Sequence, residues 1–421
     1  MRKIVVFGPG PIFKGGIALF TSSLARTLSE VDDVEIHLVS WTNQYPAIIP
    51  RDFIDRSSQS NVFENSKVKI SYATNYNNPL SWQKTVDLIE AISPEILIIQ
   101  WAVAVQGLPL GYITSKIKKK INCEVIFDLH VVEQKEQTSI DKYFLNYALS
   151  NGDTFIVHSP RTIEELKRVF PDKEFVVSEN GERILGKKNI LNLYHPIYDI
   201  YKSNNDFNSD GFKRELGLKE HVFLFFGFIR KYKGLHHIIP AFAKICKERK
   251  DVSLLIVGES FWSTLNKKKL TTKIKHLLFS SVKKVFAKNQ NTESDYKPLN
   301  LIEQYNIKEN CVVVNKYIPN EEVYKYYQSA DYNLLYYTIA TPSGVESIAY
   351  NFGVPSIAVK AGHFLDTIQE GINGYFADAE NEDSLYNTML HALNNPIDKK
   401  SVLESSSKYS WNNYVQVILK K

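Results

Sequence analysis

The sequence has few cysteines, no long apolar run and little net charge, and each absence excludes a class of protein. Its 421 residues include three cysteines, Cys123, Cys246 and Cys311, without the paired spacing of a disulfide framework. We interpret them as buried, reduced thiols of a protein that works inside the cell. No uninterrupted apolar run is long enough to span a bilayer. The N-terminal MRKIVVFGPGP is typical of a strand that turns at Gly8, not of a signal peptide, so the sequence predicts a cytoplasmic protein.

The net charge bears on the partners of the protein, and the chain length bears on its number of domains. The formal net charge of +5 is small for this length and does not indicate a nucleic-acid partner. With 44% hydrophobic and 23% charged residues, the composition is that of a globular protein with apolar surface to bury. A chain of 421 residues is longer than one core usually extends. We therefore predict two domains.

The common signatures of nucleotide and metal binding are also missing. The chain has no G-x-G-x-x-G fingerprint, no G-x-x-x-x-G-K-[ST] loop, no His/Cys cluster with metal spacing and no Asp-x-Asp motif. Any phosphate must therefore be bound by cationic side chains and backbone amides. We expect neither a metal nor a cofactor.

Strand and helix patterns alternate along the first half of the chain. Apolar runs rich in β-branched residues are typical of buried strands, and they are KIVVFG, VEIHLVS, ILIIQWA, CEVIFDLH and TFIVHS. Helical periodicity is found in GIALFTSSLARTLSEV, SWQKTVDLIEAIS and TIEELKRVF. Alternation of this kind predicts a doubly wound parallel sheet.

The second half repeats the pattern. Its strands are HVFLFFGF, VSLLIVGE, CVVVNKYI, YNLLYY and VPSIAVK, and its helices are LHHIIPAFAKICKER, NEEVYKYYQSA and GVESIAYNFG. A polar segment after His195-Pro196 separates the two halves. We predict an α/β protein with Rossmann-like domains at residues 1–200 and 201–400, facing a central crevice, and a separate closing segment at 401–421.

One segment does not fit the alternation. In residues 262–288 apolar side chains follow helical spacing, and lysines fill much of the remainder without an acidic residue among them. A basic amphipathic helix of this kind is a candidate for contact with an anionic membrane surface. The alternative is a surface helix whose apolar stripe docks on its own domain and whose lysines are solvated.

Two turns concentrate features that bind anions. In FFGFIRKYKG, Arg230 and Lys233 follow the end of a strand, where they can clasp a diphosphate from the wall of the crevice. In GPGPIFKGGIALF, Gly15 and Gly16 open the first helix, where backbone amides and the helix dipole favour an anion. The alternatives are a solvated cationic loop for the first turn and a plain tight turn for the second.

These stretches resemble the retaining glycosyltransferases of family 4, which have the GT-B fold. FFGFIRKYKGLHHIIPAF resembles the donor-binding turn, KGGIALFTSSLARTL the N-terminal Gly-Gly loop, and FDLHVV the His loop on the acceptor side. YHPIYD is similar to the entry into the second domain, and ADYNLLYYTIATPSGVESIAYNFGVPSIAVKAGHFLDTIQEGINGYF to the nucleotide-sugar block. YSWNNYVQVIL resembles the closing helix that crosses back to the first domain. The resemblance covers nearly the whole chain apart from the basic segment.

The resemblance implies roles for individual residues. It places His130 near the transferred sugar and Arg230 and Lys233 at the departing diphosphate, as the catalytic groups. The donor-binding residues that it implies are Gly15, Gly16, Arg230, Lys233, Tyr317, Ser343, Gly344, Val345, Glu346 and Gly362. It implies no metal ligand.

Three positions depart from the pattern of that family. Phe228 stands where the family often has an arginine directly after the glycine of the donor turn. Ile348 and Ala340 stand where the family carries two glutamates separated by seven residues. Glu346 is the acidic residue nearby. It either takes over one contact to the donor or is a first-turn glutamate favoured by the helix dipole.

The activity that the resemblance implies is transfer of a hexose from a UDP- or GDP-sugar to a hydroxyl acceptor, with retained configuration and without metal. Together with the basic segment it favours a glycan or lipid-linked glycan acceptor in the assembly of cell-surface polysaccharide or glycolipid. The protein is then expected in the cytoplasm, peripheral on the inner face of the cell membrane. Two alternatives stay open: an enzyme of the same fold that makes a soluble glycoside, and a scaffold that binds nucleotide without catalysis.

Overall fold

The computed structural model describes residues 1–47, 49, 53–58, 62–132, 139–260, 296–339 and 342–420. These residues form two parallel β-sheets, one in each half of the chain. The basic segment 262–288 lies outside the described residues, so its helix and its membrane contact stay predictions.

In the described part of the chain, eight parallel strands form the first sheet. They are β1 (Arg2–Phe7), β2 (Val34–Asn43), β3 (Lys69–Asn75), β4 (Ile96–Trp101), β5 (Glu124–Leu129), β6 (Thr154–Val157), β7 (Phe175–Ser178) and β8 (Lys188–Asn192). Their order across the sheet is β3-β2-β1-β4-β5-β6-β8-β7. The order reverses between β1 and β4, so a crevice opens at the carboxyl ends of these two strands.

Helices bury both faces of this sheet, because successive strand residues point to opposite sides. Ile4 and Val6 of β1 belong to one apolar core, and Val5 and Phe7 belong to another. The helices of the first half are α1 (Gly16–Ser29), α2 (Pro79–Ile92), α3 (Gly107–Lys120), α4 (Ser139–Leu149) and α5 (Pro160–Val169).

Helix α3 packs unusually close to α4, and two glycines allow it. A Cβ on Gly107 would lie 2.3 Å from the backbone oxygen of Phe144, and one on Gly111 would lie 2.3 Å from the ring of Tyr147. No other residue tolerates such contacts. The sequence pattern did not predict this helix, since Gly107, Pro109 and Gly111 together are typical of a turn.

The second sheet has six parallel strands within the described ranges. They are β9 (His221–Phe226), β10 (Val252–Val257), β11 (Cys311–Val314), β12 (Tyr332–Leu335), β13 (Ser356–Val359) and β14 (Gly374–Ala377). The order β11-β10-β9-β12-β13-β14 reverses between β9 and β12. A second crevice therefore opens at the carboxyl ends of β9 and β12.

The helices described in the second half cover this sheet and its edges. They are α6 (Ser209–Leu216), α7 (Leu235–Glu248), α8 (Asn300–Gln304), α9 (Val323–Tyr327), α10 (Gly344–Phe352), α11 (Phe364–Thr367), α12 (Glu382–Asn394) and α13 (Lys399–Ser406). Single 3₁₀ turns occupy Ala104–Gln106, Lys231–Lys233, Lys308–Asn310, Asn320–Glu322 and Ser407–Tyr409.

The last helix, α14 (Trp411–Leu419), packs on the first domain. The ring of Trp411 lies 4.8 Å from that of Phe20 in α1. Tyr414 donates a hydrogen bond of 3.0 Å to the buried carboxylate of Asp128 in β5. The chain thus crosses between the domains twice, once forward and once back.

Two arginines of the first domain hold the end of α14. Arg2 donates a hydrogen bond of 2.9 Å to the carbonyl of Leu419, and Arg183 donates to the carbonyls of Ile418 and Lys420. The last carbonyls of a helix have no partner inside it and carry partial negative charge. Cationic donors at this point therefore stabilise the helix and attach it to the sheet.

The predicted fold class is confirmed, with two doubly wound α/β domains facing each other. The pattern did not predict β3, β7, β8 and β14, which lie at or next to the edges of their sheets. β3 and β7 are largely exposed or half-buried, and all four strands carry short apolar runs, so periodicity marks them weakly.

The structure bears on two expectations from the sequence, namely that the cysteines are buried free thiols and that no segment spans a membrane. Cys123 and Cys246 are buried free thiols, and Cys311 is partly buried. Burial raises the pKa of Cys123 and of Cys246 to about 11. Among the helices of the described residues, none has the length and apolar character needed to cross a membrane.

Replacing Gly234 by alanine should destabilise the protein much more than the same change at Gly217. Both glycines have nearly the same left-handed backbone, with φ of 72° and 71°. A Cβ on Gly234 would lie 2.0 Å from the carbonyl oxygen of Tyr336, whereas a Cβ on Gly217 meets open space. Backbone strain alone costs about 1–2 kcal/mol, so Gly217→Ala isolates that part. Thermal unfolding measures both, and equal losses of melting temperature would contradict the close contact at Gly234.

Candidate active site

The residues that follow β1 and those that follow β9 line one cavity of about 290 Å³. The first domain contributes Gly15 and Gly16, and the second contributes Lys233, Tyr317 and residues 343–345. Both sheets reverse their strand order at this point. A ligand of a doubly wound protein is expected at such a place.

Lys233 is a buried cation at this cavity. Its side chain is 6% exposed, and Nζ donates a hydrogen bond of 3.1 Å to the carbonyl of Phe226. Nζ also lies 5.9 Å from the ring centre of Phe225 and 5.6 Å from that of Tyr337. Burial, together with the nearby Arg230 guanidinium, lowers the pKa of Lys233 to about 7. Since the ammonium form is disfavoured there, an anion in the cavity would restore its charge.

Glycine backbone makes room for the Lys233 ammonium. A Cβ on Gly227, whose φ is 92°, would lie 2.7 Å from Lys233 Nζ. A Cβ on Gly258, whose φ is 144°, would lie 2.0 Å from the carbonyl oxygen of Gly227. Both positions combine left-handed backbone with close approach, which only glycine permits. The lysine can therefore lie flat against the ends of β9 and β10.

Two helices begin at the cavity, one from each domain. Helix α1 begins after Gly15, whose φ is 106°, without a side-chain cap. Helix α10 is capped by Ser343, whose Oγ accepts a hydrogen bond of 3.3 Å from the Val345 backbone. Helix N-termini carry unpaired N–H groups and partial positive charge. Together with Lys233 they make the cavity favourable for a phosphate group.

Tyr198 lies between these two helix starts, and the sequence did not predict it as a site residue. Its hydroxyl donates a hydrogen bond of 2.9 Å to the carbonyl of Gly16. Its ring lies so close to Gly344 that a Cβ there would be 2.7 Å from Cε2. Burial raises the pKa of Tyr198 well above its ordinary value. Tyr198 is part of the motif YHPIYD, which the sequence analysis related to the entry into the second domain and not to the cavity.

Tyr317 lines the cavity and also connects the two domains. Lys14 Nζ lies 5.0 Å from the centre of the Tyr317 ring, a cation–π contact across the crevice. Next to it, the Asn320 backbone donates a hydrogen bond of 3.2 Å to Ser58 Oγ. Burial raises the pKa of Tyr317 far above its ordinary value. The rim of the cavity is thus closed by separate polar contacts between the domains.

Seven of the predicted site residues therefore line one cavity. The four that do not line it are Arg230, Gly362, Glu346 and His130. Arg230 follows β9 as predicted, and its guanidinium carbon lies 5.3 Å from the ring centre of Tyr232. Gly362 precedes α11 with a φ of 55°. The roles implied for these two residues stay predictions.

Glu346 is in the first turn of α10, but its carboxylate is bound inside the second domain. The residue is 3% exposed and accepts hydrogen bonds from Tyr350, at 3.0 Å, and from Thr367. Its second oxygen lies 3.2 Å from His363 Nε2. Ile348, two residues further along the helix, lines the cavity instead. A donor contact by Glu346 stays a prediction and requires these hydrogen bonds to be exchanged.

His130 does not line the cavity but packs on α1, the helix of the first domain that begins there. Its ring is 4.6 Å from that of Phe20 in α1 and stacks on that of His158 at 5.2 Å. Its Nε2 lies 2.7 Å from Gln100 Oε1. Burial lowers the pKa of His130 to about 4, so the imidazole is neutral at pH 7. A neutral imidazole offers one donor and one acceptor to a ligand.

His130 also belongs to a group of three side chains that could coordinate a metal ion. Asp128, His130 and His158 offer ligand atoms within 4.8 Å of one another, and this donor set suits zinc. However, His158 Nε2 already bonds Asp128 Oδ1 at 2.9 Å. The rings of His130 and His158 are stacked 27° from parallel, so their nitrogens do not converge on one point. The residues fit a hydrogen-bonded network better than a metal site, and independence from metal stays a prediction.

Comparison with known proteins shows a similarity to glycosyltransferases. Residues 206–409 match the family described as Glycosyl transferases group 1. Over 232 residues the chain is 25% identical to the lipopolysaccharide 1,2-N-acetylglucosaminetransferase of Salmonella typhimurium. That match covers 52% of this chain and 52% of the relative, so it spans about half the length of each.

Solved structures extend the likeness of fold to the whole chain. HepE of Anabaena, in complex with UDP and glucose, superposes with a TM-score of 0.66 at 12% identity over 99% of this chain and 97% of its own. Sucrose-phosphate synthase of Thermosynechococcus elongatus superposes with a TM-score of 0.61 at 15% identity over 99% and 94%. The GT-B fold that the sequence resemblance implied is confirmed.

Removing the Lys233 ammonium should stabilise the ligand-free protein, most of all below pH 7. The pKa of Lys233 falls from 10.5, its ordinary value, to about 7 on folding. Between these values the unfolded chain binds more protons, so the stability of the wild type rises with pH across this range. Below pH 7 the full penalty for burying the charge is present. At about 1.4 kcal/mol per pKa unit this penalty is on the order of 5 kcal/mol.

The measurement is the melting temperature of wild type and Lys233→Met from pH 6 to pH 10, in buffer without phosphate. The variant should melt above the wild type at pH 6, and the difference should shrink as the pH rises. Lys202→Met removes an exposed lysine near the domain boundary and serves as the matched control. A difference for Lys233→Met that does not change with pH would show that no charge is buried there.

Proposed function

We propose that the protein is a retaining glycosyltransferase, a proposal supported by the match of residues 206–409 to the family described as Glycosyl transferases group 1. It moves a hexose from a nucleoside-diphosphate sugar to a hydroxyl acceptor. The observation that carries the proposal is the cavity in which Lys233 meets the N-termini of α1 and α10. A departing nucleoside diphosphate gains negative charge, and these groups are fixed in place to stabilise it.

The reaction needs no protein nucleophile. The acceptor hydroxyl attacks the anomeric carbon on the face from which the diphosphate leaves, so the new C–O bond forms as the old one breaks. The departing phosphate oxygen takes the hydroxyl proton, and the configuration at the anomeric carbon is retained. Lys233 and the backbone amides around Gly16 and at residues 343–345 hold the leaving group. Closure of the two domains on the donor excludes water and limits hydrolysis.

We also propose that cationic groups replace a metal in binding the diphosphate. The cavity supplies an ammonium and two helix N-termini, which is the positive charge that a divalent cation provides elsewhere. UDP is the favoured nucleotide, since HepE, which has the same fold, was solved with UDP and with UDP-glucose. Tyr317 lines the cavity and is the residue proposed to lie near the base.

The proposed acceptor is a lipid-linked glycan in cell-surface polysaccharide or glycolipid assembly. Two observations support it: the relative in Salmonella typhimurium that acts on lipopolysaccharide, and the lysine-rich sequence of residues 262–288. An enzyme of this kind works in the cytoplasm, on the inner face of the membrane that holds its acceptor.

A second candidate function is a scaffold that binds nucleotide without catalysis. Ile348 at the cavity and the internally bonded Glu346 favour it, because neither offers a carboxylate to a sugar or ribose. The two functions differ in a simple assay. A glycosyltransferase hydrolyses its donor slowly when no acceptor is present, whereas a scaffold leaves it intact.

Binding of UDP should take up protons, and the uptake should depend on Lys233. The pKa of Lys233 is about 7 in the empty cavity, and a bound diphosphate raises it by favouring the ammonium. At pH 8 we therefore expect close to one proton taken up per UDP bound, and at pH 6 almost none. Isothermal titration calorimetry in two buffers of different ionisation enthalpy measures this number.

Lys233→Met should abolish the uptake and weaken UDP binding by about two orders of magnitude, as expected for loss of one charge-assisted hydrogen bond. Lys202→Met should leave both unchanged. GDP, ADP and the common UDP-sugars are titrated in parallel, with and without magnesium. If no nucleoside diphosphate binds under any of these conditions, the proposed function is wrong.

Deleting residues 262–288 should reduce binding to anionic vesicles while leaving UDP binding intact. Binding through lysines weakens as salt screens the charges, so co-sedimentation with phosphatidylglycerol vesicles is measured at low and at high salt. Neutral phosphatidylcholine vesicles are the control. If the deletion variant sediments like the wild type, the membrane contact of this segment is wrong and a soluble acceptor becomes the better proposal.

A further inference from the structure

A chain of hydrogen bonds connects the end of β4 to the imidazole of His130. Gln100, the next-to-last residue of β4, is 2% exposed and lies in register with Asp128 on the neighbouring strand β5. Gln100 Nε2 donates a hydrogen bond of 3.2 Å to Asp128 Oδ2. On its other side, Gln100 Oε1 faces His130 Nε2 at 2.7 Å. One amide thus bridges a carboxylate and an imidazole.

The carboxylate of Asp128 determines which way this amide points. Asp128 is fully buried, and Oδ2 also accepts the hydroxyl hydrogen of Tyr414 at 3.0 Å. If the amide of Gln100 were reversed, its carbonyl oxygen would face a carboxylate oxygen, and two acceptors would repel each other. The amide can therefore bond Asp128 only through its NH₂ group.

His158 helps to keep the Asp128 oxygen that faces Gln100 unprotonated, so that this oxygen accepts a hydrogen bond. His158 Nδ1 lies 3.0 Å from the carbonyl of Leu193, which can only accept, so this nitrogen carries a hydrogen. His158 Nε2 lies 2.9 Å from Asp128 Oδ1, so the two groups share one further proton. Burial opposes ionisation of Asp128, but His158, His130 and the Tyr414 hydroxyl together outweigh it, so the pKa of Asp128 lies below its ordinary value. The oxygen facing Gln100 stays an acceptor.

The orientation of Gln100 then selects the tautomer of His130. Because Gln100 presents its carbonyl oxygen, the hydrogen of the neutral imidazole must be on Nε2. The lone pair is left on Nδ1, and no described residue donates a hydrogen bond to that nitrogen. A lone pair there can accept a hydrogen bond from a hydroxyl group, of which a hexose has several.

We propose that Gln100 is a positioning residue that holds His130 as the Nε2–H tautomer, so that Nδ1 accepts a hydroxyl of the transferred sugar. The catalytic part of this inference rests on the proposed glycosyltransferase function, whereas the tautomer does not. Helix α14 is part of the arrangement, since Tyr414 bonds the same carboxylate oxygen as Gln100.

The first test reads the tautomer of His130 in the wild-type protein. Protein labelled with ¹⁵N-histidine gives two-bond ¹H–¹⁵N correlation spectra that distinguish both neutral tautomers and the imidazolium. The His130 signals are assigned by their loss in His130→Asn. At pH 7 they should show the Nε2–H tautomer. An Nδ1–H tautomer or an imidazolium in the wild type would overturn the proposal.

The second test removes the bridging amide. Gln100→Met keeps the size of the side chain but neither hydrogen bond, so His130 should show a mixture of both tautomers. Gln106→Met is the matched control, because Gln106 is also a buried glutamine, 4% exposed, and bonds the backbone of Gln44 instead. In Gln100→Glu the adjacent Asp128 carboxylate favours the protonated carboxyl, which can donate to Asp128 and accept from His130 Nε2–H, so the single tautomer should be restored. An unchanged His130 spectrum in Gln100→Met would refute the role of Gln100.

Kinetics with the donor found by titration complete the test. In Gln100→Met the kcat for sugar transfer should fall about tenfold, with KM for the donor nearly unchanged, since a misplaced acceptor affects the transition state more than binding. Gln106→Met should match the wild type, and Gln100→Glu should recover part of kcat. If the spectra behave as expected but the wild type transfers no sugar, the proposed function fails and the tautomer stands. If transfer is normal in a Gln100→Met protein with mixed tautomers, the catalytic role of the tautomer fails.

Discussion

The cleft is organised around an ammonium group that is buried before its anion arrives. Lys233 is held by a carbonyl and by aromatic rings, and in the described part of the chain no carboxylate pairs with it. Two further features near this ammonium add to the positive potential, although Glu259 also lines the cavity. Arg230 lowers the pKa of Lys233 further, and two helices begin at the same point. Such a site is electrostatically incomplete without an anion, and its affinity for one follows from that incompleteness.

The sequence predicted those parts of the molecule in which neighbours along the chain act together. The central strands are continuous β-branched runs, and the donor turn places Arg230 and Lys233 within four residues of each other. The sequence could not predict partners that meet only in three dimensions. Tyr198 bonds the start of α1, and Glu346 is bound by Thr367 and His363. No local pattern indicates such pairs, because they depend on how separate elements pack.

The bonds between the two domains are of two kinds, with different consequences for motion. Near the linker, Ser347 of the second domain bonds the carbonyl of Pro196. At the rim, Lys14 touches Tyr317 through a single cation–π contact. Separate polar contacts at an exposed rim are weak and are replaced by water at little cost. The structure therefore favours rotation about the linker, with the rim as the part that separates.

The return of α14 to the first domain also orders events during synthesis of the chain. Phe20 leaves the ribosome long before Trp411 and Tyr414, yet both are among its neighbours. Domains generally fold in the order in which they are made, but this first domain lacks a wall of its core until the second has been completed. Until then, the apolar side of α1 and the carboxylate of Asp128 stay open to solvent. The nascent N-terminal half is consequently the part that most needs protection by a chaperone, and its folding becomes final only when the second half has been delivered.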